Sequence, residues 1–239
     1  MNNLDNQDLW WALKRLPTIL KETMNKPEWH NKIFVGGGFL RSIVAGESIN
    51  DIDVFVPSKE DAKNLSEILK GKKGVFITDN AYTVKGRLPI QMIHRWVFNS
   101  IEEVSNSFDF TICCAAFTKT KDGYVSYVDD RFYKDLASKR LVYRYPVRNE
   151  DAGGSMLRVL KYYQKGYRIP LDSLGGVMAR MIQGVRIEKR ERMTEDDWAK
   201  ILTGLLREVD PNVDPTHISH LPTIPESVKE TNIEDVELL

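Results

Sequence analysis

The chain is poor in cysteine, in long apolar runs and in any surplus of one charge. Its 239 residues include only two cysteines, Cys113 and Cys114, and adjacent cysteines cannot form an ordinary structural disulfide. No stretch approaches the ~20 apolar residues that a membrane-spanning helix needs. The first residues also lack the basic and apolar regions of a secretory signal. These absences favour a cytoplasmic protein that has no membrane partner.

The chain has no net charge, but individual segments of it are strongly basic or strongly acidic. The chain has 34 basic and 34 acidic residues, which excludes a uniformly basic nucleic-acid binder. Residues 139–168 nevertheless carry eight basic residues against two acidic ones, whereas residues 208–239 carry eight acidic residues against one lysine. Neutrality therefore excludes indiscriminate polyanion binding but leaves room for a confined site for a triphosphate or an RNA end.

The pattern of apolar residues predicts an α+β protein with a mixed sheet, followed by a small all-helical module. Helical spacing marks residues 9–23, with an interruption at Pro17, and longer helical patterns begin after about residue 136. Short apolar runs predict strands, among them 52–56 and 108–117. We expect three parts: a head over residues 1–138, a helical neck over 139–210, and an acidic, proline-containing tail over 211–239.

The most informative segment is a strand that runs into Gly36-Gly37-Gly38 and is followed by Asp51-Ile52-Asp53. Three glycines between a strand and a helix let backbone N–H groups approach an anion, although such turns also use glycine for steric reasons. The two aspartates lie two positions apart, so on a strand they point to the same side. Paired carboxylates suit Mg²⁺; the alternative is a solvated pair at the end of a strand.

Three ordered motifs resemble the nucleotidyltransferase superfamily typified by DNA polymerase beta. They are most similar to the head and neck of the bacterial CCA-adding tRNA nucleotidyltransferase and poly(A) polymerase family. The motifs are Gly37-Gly38-Phe39-Leu40-Arg41 with Asp51-Ile52-Asp53, then Phe108-Asp109-Phe110-Thr111-Ile112, then Met156-Leu157-Arg158-Val159-Leu160-Lys161 with Gly166-Tyr167. The resemblance spans roughly residues 30–170 and implies a nucleotidyltransferase head with a helical neck.

The resemblance implies a two-metal Mg²⁺ site held by Asp51 and Asp53. It implies that the backbone of Gly37 and Gly38 holds phosphates, and that Arg41 contacts the triphosphate or braces the turn. Asp109 becomes either a third metal ligand or a ribose contact. If Gln91 occupies the position where many relatives carry a glutamate, the metal role of Asp109 is favoured.

Arg158 and Lys161 are the nucleotide-binding residues that the resemblance implies on the neck helix. This chain departs from the family at Ser42, at Ser107-Phe108 and at Gly154-Ser155, where the relatives carry acidic or basic residues. The choice between ATP and CTP as donor therefore stays open, and so does the oligomeric state.

The function implied is transfer of a nucleoside monophosphate from an NTP to the 3′-hydroxyl of a tRNA-like RNA, with release of pyrophosphate. Three alternatives stay open. One is an acceptor that is a small molecule or a protein. The second is an enzyme that adds a single nucleotide or performs partial RNA repair. The third is a catalytically degenerate nucleotide-binding, RNA-binding or structural protein on the same fold.

Overall fold

The computed structural model describes residues 2–144, 152–183 and 193–207. The predicted tail and residues 145–151 of the basic stretch lie outside this range. The first helices are α1 (Asn6–Arg15) and α2 (Thr18–Met24), which are separated at Pro17 as predicted.

The remaining elements are, in chain order, β1 (Phe34–Gly36), α3 (Gly38–Val44), β2 (Ile52–Phe55), α4 (Lys59–Lys70), β3 (Val75–Ile77), β4 (Ala81–Val84), β5 (Ile90–Ile93), α5 (Ile101–Asn106), β6 (Ala115–Thr120), β7 (Gly123–Val128), α6 (Phe132–Ala137), α7 (Ala152–Gln164), α8 (Leu171–Gln183) and α9 (Glu195–Arg207). Short 3₁₀ turns occupy Pro27–Trp29 and Thr111–Cys113.

The seven strands form one mixed sheet in the order β3-β4-β5-β2-β1-β6-β7. Only β2 and β5 run parallel, and the other neighbouring pairs are antiparallel. A parallel pair requires a crossover connection, which here contains α4 and the β3–β4 hairpin. This mixed α+β architecture confirms the fold class that the sequence predicts.

The two faces of the sheet differ because side chains alternate along each strand. On β2, Ile52 and Val54 belong to the large buried cluster beneath α3 and α4. Phe55 points to the opposite face, where it joins a smaller apolar cluster with Phe34 and Val104. This second face is only partly covered, and it carries the site described below.

Local sequence signals account for several helix starts. Ser58 caps α4 by accepting a hydrogen bond from the Asp61 amide at 3.0 Å and donating to its carboxylate at 2.6 Å. Ser100 caps α5 by accepting from the Glu103 amide at 3.1 Å. Such caps satisfy N–H groups that a helix leaves unpaired in its first turn.

One predicted strand is wrong in its first half. The segment 108–117 was expected to be extended throughout, but the chain makes a 3₁₀ turn over Thr111–Cys113, and β6 starts only at Ala115. A run of β-branched and aromatic residues predicts burial as well as extension. Phe110 and Ile112 are fully buried, and the turn provides that burial without a strand.

Candidate functional site

The sheet register brings polar side chains of β2 and β5 together on the partly covered face. Asp53 pairs with Gln91 of the parallel strand β5 on one side and with Gly36 of β1 on the other. Asp51 lies just before β2, two positions from Asp53, and both line the same cavity. Gln91 therefore occupies the strand position beside the aspartate pair, and the carboxylate expected in many relatives is an amide in this chain.

The glycine turn is closed from one side by Phe108. Gly37 has φ 71° and ψ −136°, a conformation that residues with a side chain rarely adopt. A Cβ on Gly37 would meet the Phe108 ring at 2.6 Å, and one on Gly36 would meet the Ala115 carbonyl oxygen at 2.9 Å. Nothing lies within 4 Å of the same position on Gly38, so the open side of the turn is the side that lines the cavity.

The cavity has a volume of about 710 Å³, which is within the usual range of ligand sites. Seven of the eight predicted site residues line it, and Gly37 is the exception. The charged residues of the lining are three aspartates and four cations: Asp51, Asp53, Asp109, Arg41, Arg95, Arg158 and Lys161. An anionic centre with cations around it suits a ligand that carries phosphate groups together with divalent metal.

The carboxylate of Asp109 is engaged with the neck helix. Its Oδ2 accepts a hydrogen bond from Arg158 at 2.7 Å and another from Ser155 at 2.8 Å. Asp109 precedes a 3₁₀ turn and does not lie on a strand. Within residues 2–144, 152–183 and 193–207, no three His, Cys, Asp or Glu side chains are grouped to hold a metal. Asp109 therefore lines the same cavity as Asp51 and Asp53 while its carboxylate is bound by the neck helix.

Arg41 is buried between the glycine turn and the neck. Its guanidinium donates to the Ser42 hydroxyl at 2.7 Å, lies 3.5 Å from a Glu47 carboxylate oxygen and stacks 4.8 Å from the centre of the Tyr162 ring. Burial by itself lowers the pKa of Arg41, but Tyr162, Cys113 and Glu47 offset this, so the pKa is raised. Its Nε is buried and has no hydrogen-bond partner among the described atoms.

Cys113 and Tyr162, which both line the cavity, form a buried polar contact. The Cys113 Sγ and the Tyr162 hydroxyl are 3.0 Å apart. Burial raises the pKa of the Cys113 thiol and raises the pKa of the Tyr162 hydroxyl well above its usual value. Both groups therefore stay protonated at neutral pH, and the thiol is not prepared for nucleophilic catalysis.

A second set of contacts anchors the end of α7. Glu47 accepts hydrogen bonds from the Tyr167 hydroxyl at 2.9 Å and from Lys165 at 3.3 Å. Tyr162, Tyr167 and Val159 belong to the same buried cluster as the sheet. Lys161 is exposed on the same helix and lines the cavity. The neck helix thus reaches the cavity while being packed on the head.

The residues present fit a divalent cation at the aspartate pair. Asp51, Asp53 and the amide oxygen of Gln91 supply hard oxygen donors on one face of the sheet, and Mg²⁺ usually binds through one or two carboxylates and completes its shell with water and phosphate. The metal role of Asp51 and Asp53, and that of Asp109, stays a prediction.

Several residues that line or close the cavity were not predicted as site residues from the sequence, among them Phe108, Tyr162, Arg95 and Trp96. Phe108 belongs to the second motif and is also a departure from the family pattern, and Tyr162 directly follows Lys161 of the third motif. Arg95 and Trp96 follow β5 and also line the cavity. An aromatic and a cation directly after the strand of Gln91 were the available signal, but the parallel pairing that brings them to the site is a long-range contact.

A comparison with solved structures shows that the chain shares its fold with CCA-adding enzymes. The Thermotoga maritima CCA-adding enzyme complexed with tRNA aligns with a TM-score of 0.53 and 19% identity, over 83% of this chain and 50% of the enzyme. A CCA-adding enzyme in complex with ATP gives 0.54 and 20%, over 87% of this chain and 49% of the enzyme. At such identities the similarity establishes the fold alone.

The sequence itself belongs to the Gabija anti-defense 2 family, whose sequence model matches residues 13–139. A curated relative, the "Gabija anti-defense 2" protein of Bacillus phage SPbetaL7, is 29% identical over 163 residues. The match covers 65% of this chain and 38% of that relative, so the chain spans well under half of the relative's length. The expected closeness to CCA-adding enzymes therefore holds for the fold, while the sequence family is a different one.

Proposed function

We propose that this protein is a metal-dependent nucleotidyltransferase that joins a nucleoside monophosphate, taken from an NTP, to a hydroxyl of an acceptor. The observation that carries the proposal is that Asp51, Asp53, Gly38 and Arg41 line the same cavity as Lys161 of the neck helix. Phosphoryl transfer of this kind depends on positioning and charge and needs no protein nucleophile.

The residues have distinct parts in this proposal. Asp51 and Asp53 hold Mg²⁺, which when bound neutralises the triphosphate and activates the acceptor hydroxyl. The open side of the turn at Gly38 admits the phosphates of ATP or CTP. Arg41, which has an unpaired buried Nε, and Lys161 add positive charge beside them. Arg158 changes partner from Asp109 to the bound nucleotide, which frees Asp109 for the ribose or the metal.

The first acceptor to test is the 3′ end of a tRNA-like RNA. Support comes from the fold shared with enzymes that were solved with tRNA and ATP, and from the basic residues of the neck. A second candidate is suggested by the family, whose name describes action against a defence system called Gabija. In that case the acceptor is a component of the defence, either a protein or a small molecule.

The test is incorporation of label from each of the four α-³²P NTPs, with Mg²⁺, into tRNAs that lack terminal nucleotides and into defence components. Asp51→Asn/Asp53→Asn should lose at least about a thousandfold in rate, as expected when groups that stabilise transition-state charge are removed. Asp122→Asn, at an exposed turn, is the matched control and should retain wild-type rate. Equal incorporation by the wild type and the double variant would refute the proposal.

A further inference from the structure

The aspartate pair has cations on both sides, and the proposed donor uses only one of them. Arg41, Arg158 and Lys161 lie on the side of the glycine turn and the neck helix. Arg95 lines the same cavity from just after the end of β5. In the sheet, β5 lies on one side of β2, and β1 with the glycine turn lies on the other. A nucleotidyl transfer brings two reactants to one metal site, so a second cationic end is expected if the acceptor is also an anion.

The floor between the aspartates and Arg95 is apolar. Gln91 and Ile93, which are alternate residues of β5, line the cavity, and Arg95 lines it from the bend that follows the strand. Ile93 pairs with Phe55 of β2. Ile93 and the partly buried Trp96 both pack against the small apolar cluster on this face.

Arg95 and Trp96 form a stacked pair at the end of this floor. The guanidinium carbon of Arg95 lies 5.2 Å from the centre of the Trp96 ring, within the range of a cation–π contact. Arg95 is exposed, and both residues line the cavity. Aromatic rings beside arginines stack nucleobases and bind phosphates in sites for single-stranded nucleic acids.

We propose that Ile93, Arg95 and Trp96 form the acceptor subsite, and that the acceptor is a nucleotide. This inference rests on the proposed nucleotidyl transfer. The nucleobase lies on Ile93 and Trp96, a phosphate of the acceptor pairs with Arg95, and the ribose hydroxyl is directed to the aspartate pair. The hydroxyl oxygen forms a bond to the α-phosphorus of the donor as the bond from that phosphorus to pyrophosphate breaks, and the hydroxyl proton passes to solvent.

A nucleotide acceptor has two possible sources, which are the 3′ end of a single-stranded RNA and a free mononucleotide. The chemistry at Trp96 and Arg95 is the same for both. Two probes therefore enter the test, a 5′-fluorescein-labelled hexaribonucleotide with a free 3′-hydroxyl and unlabelled AMP as a competitor. Displacement of the hexamer by AMP at concentrations similar to its own Kd indicates a mononucleotide site, whereas displacement only at far higher concentrations indicates an RNA end. Either result supports a nucleotide acceptor.

The experiment measures the Kd of the hexamer by fluorescence anisotropy without NTP, and the Kd of ATP with Mg²⁺ by calorimetry without acceptor. Trp96→Leu and Arg95→Gln should each weaken hexamer binding about tenfold, because stacking on one aromatic contributes about 1–3 kcal/mol. ATP binding should change less than twofold. Trp96→Phe and Arg95→Lys should restore most of the hexamer affinity.

Trp10→Leu is the matched control, since Trp10 is an exposed tryptophan on α1 with the Lys14 ammonium 5.1 Å from its ring centre. It should leave both Kd values unchanged. Thermal unfolding of every variant verifies that the fold is retained.

Three results would overturn the subsite. They are failure of the wild type to bind either probe at millimolar concentration, unchanged hexamer binding by Trp96→Leu and Arg95→Gln, and loss of ATP binding in these two variants. The proposed function fails separately, when incorporation is absent or does not depend on Asp51 and Asp53. If binding responds to Trp96 while incorporation is absent, the subsite stands and the transfer activity does not.

Discussion

The cavity has two walls that are held in different ways. The head wall consists of the glycine turn and β2, and it is fixed by backbone pairing within the sheet and by the Phe108 ring against the glycines. The neck wall consists of α7, and its polar links to the head join residues 46 to 49 positions apart, from Ser155 and Arg158 to Asp109 and from Tyr162 to Cys113. The head wall is therefore held by backbone pairing, whereas the neck wall is held by side chains, which are the buried Val159 and Tyr162 and an ion pair to Asp109 that a ligand can compete for.

The largest effect is expected from a change in the head wall, Gly37→Ala. The positive φ contributes about 1–3 kcal/mol of backbone strain, and the new methyl group would collide with the Phe108 ring at 2.6 Å. The free energy of unfolding, measured in urea, should fall by about 2–4 kcal/mol. Gly46→Ala is the matched control, because Gly46 has φ 65° and nothing within 4 Å. Equal losses in the two variants would show that Phe108 does not constrain the turn.

The neck wall is tested by separating the two halves of its ion pair. Arg158→Gln leaves the Asp109 carboxylate buried with Ser155 alone, and should cost about 2 kcal/mol. Asp109→Asn leaves a guanidinium whose side chain is 38% exposed, so water can replace the lost partner and the cost should be about 1 kcal/mol. Urea unfolding gives both values, and amide exchange should speed up in α7 more than in β2. A larger loss of unfolding free energy in Asp109→Asn than in Arg158→Gln would contradict the view that Asp109 is the more buried partner.

A smaller effect is expected from Tyr162→Phe, which keeps the ring stacked on Arg41 and removes the hydroxyl beside Cys113. The expected loss is about 0.5–1.5 kcal/mol, the net contribution of one hydrogen bond. Tyr163→Phe is the matched control on the same helix, because Tyr163 is 56% exposed. A loss in the control as large as that in Tyr162→Phe would argue against the buried contact.

The smallest effect is expected from thiol modification of the wild type. Burial raises the pKa of both the Cys113 and the Cys114 thiol, and the reactive form is the thiolate. Neither cysteine should be alkylated by iodoacetamide at pH 8 within an hour, as mass spectrometry would show. Alkylation should appear after unfolding in urea at the same pH. Rapid alkylation of the folded chain would show that the two thiols are more exposed than they are in the structure.

Much of the head wall could be predicted from local sequence. The break between α1 and α2 follows from Pro17, and the turn at 36–38 follows from its glycines. The two aspartates, predicted as a pair, line one cavity in the structure. The segment 108–114 could not be predicted in the same way. Its apolar residues signal burial, and burial is compatible with a strand and with the 3₁₀ turn that the chain adopts.

For a related reason, the contacts of individual site residues could not be predicted from the sequence. The resemblance raised Gln91 as a possible site position, but the sequence did not indicate its register with Asp53, because a parallel pair joined by a crossover is a long-range contact. It also did not indicate that Asp109 is bound by Arg158, since that ion pair requires α7 to pack against the head. Trp96 reaches the cavity only through the same strand pairing.

The sequence by itself determined the fold class, the glycine turn and the paired aspartates, because these depend on the conformations and periodicity of neighbouring residues. Only the tertiary structure decided which charges face one another across the cavity. Strand order and helix packing set those contacts, and they result from burying apolar surface over the whole chain. For this reason the position of the aspartate pair could be found in the motif, whereas the engagement of Asp109 by the neck and the aromatic end of the cavity could not.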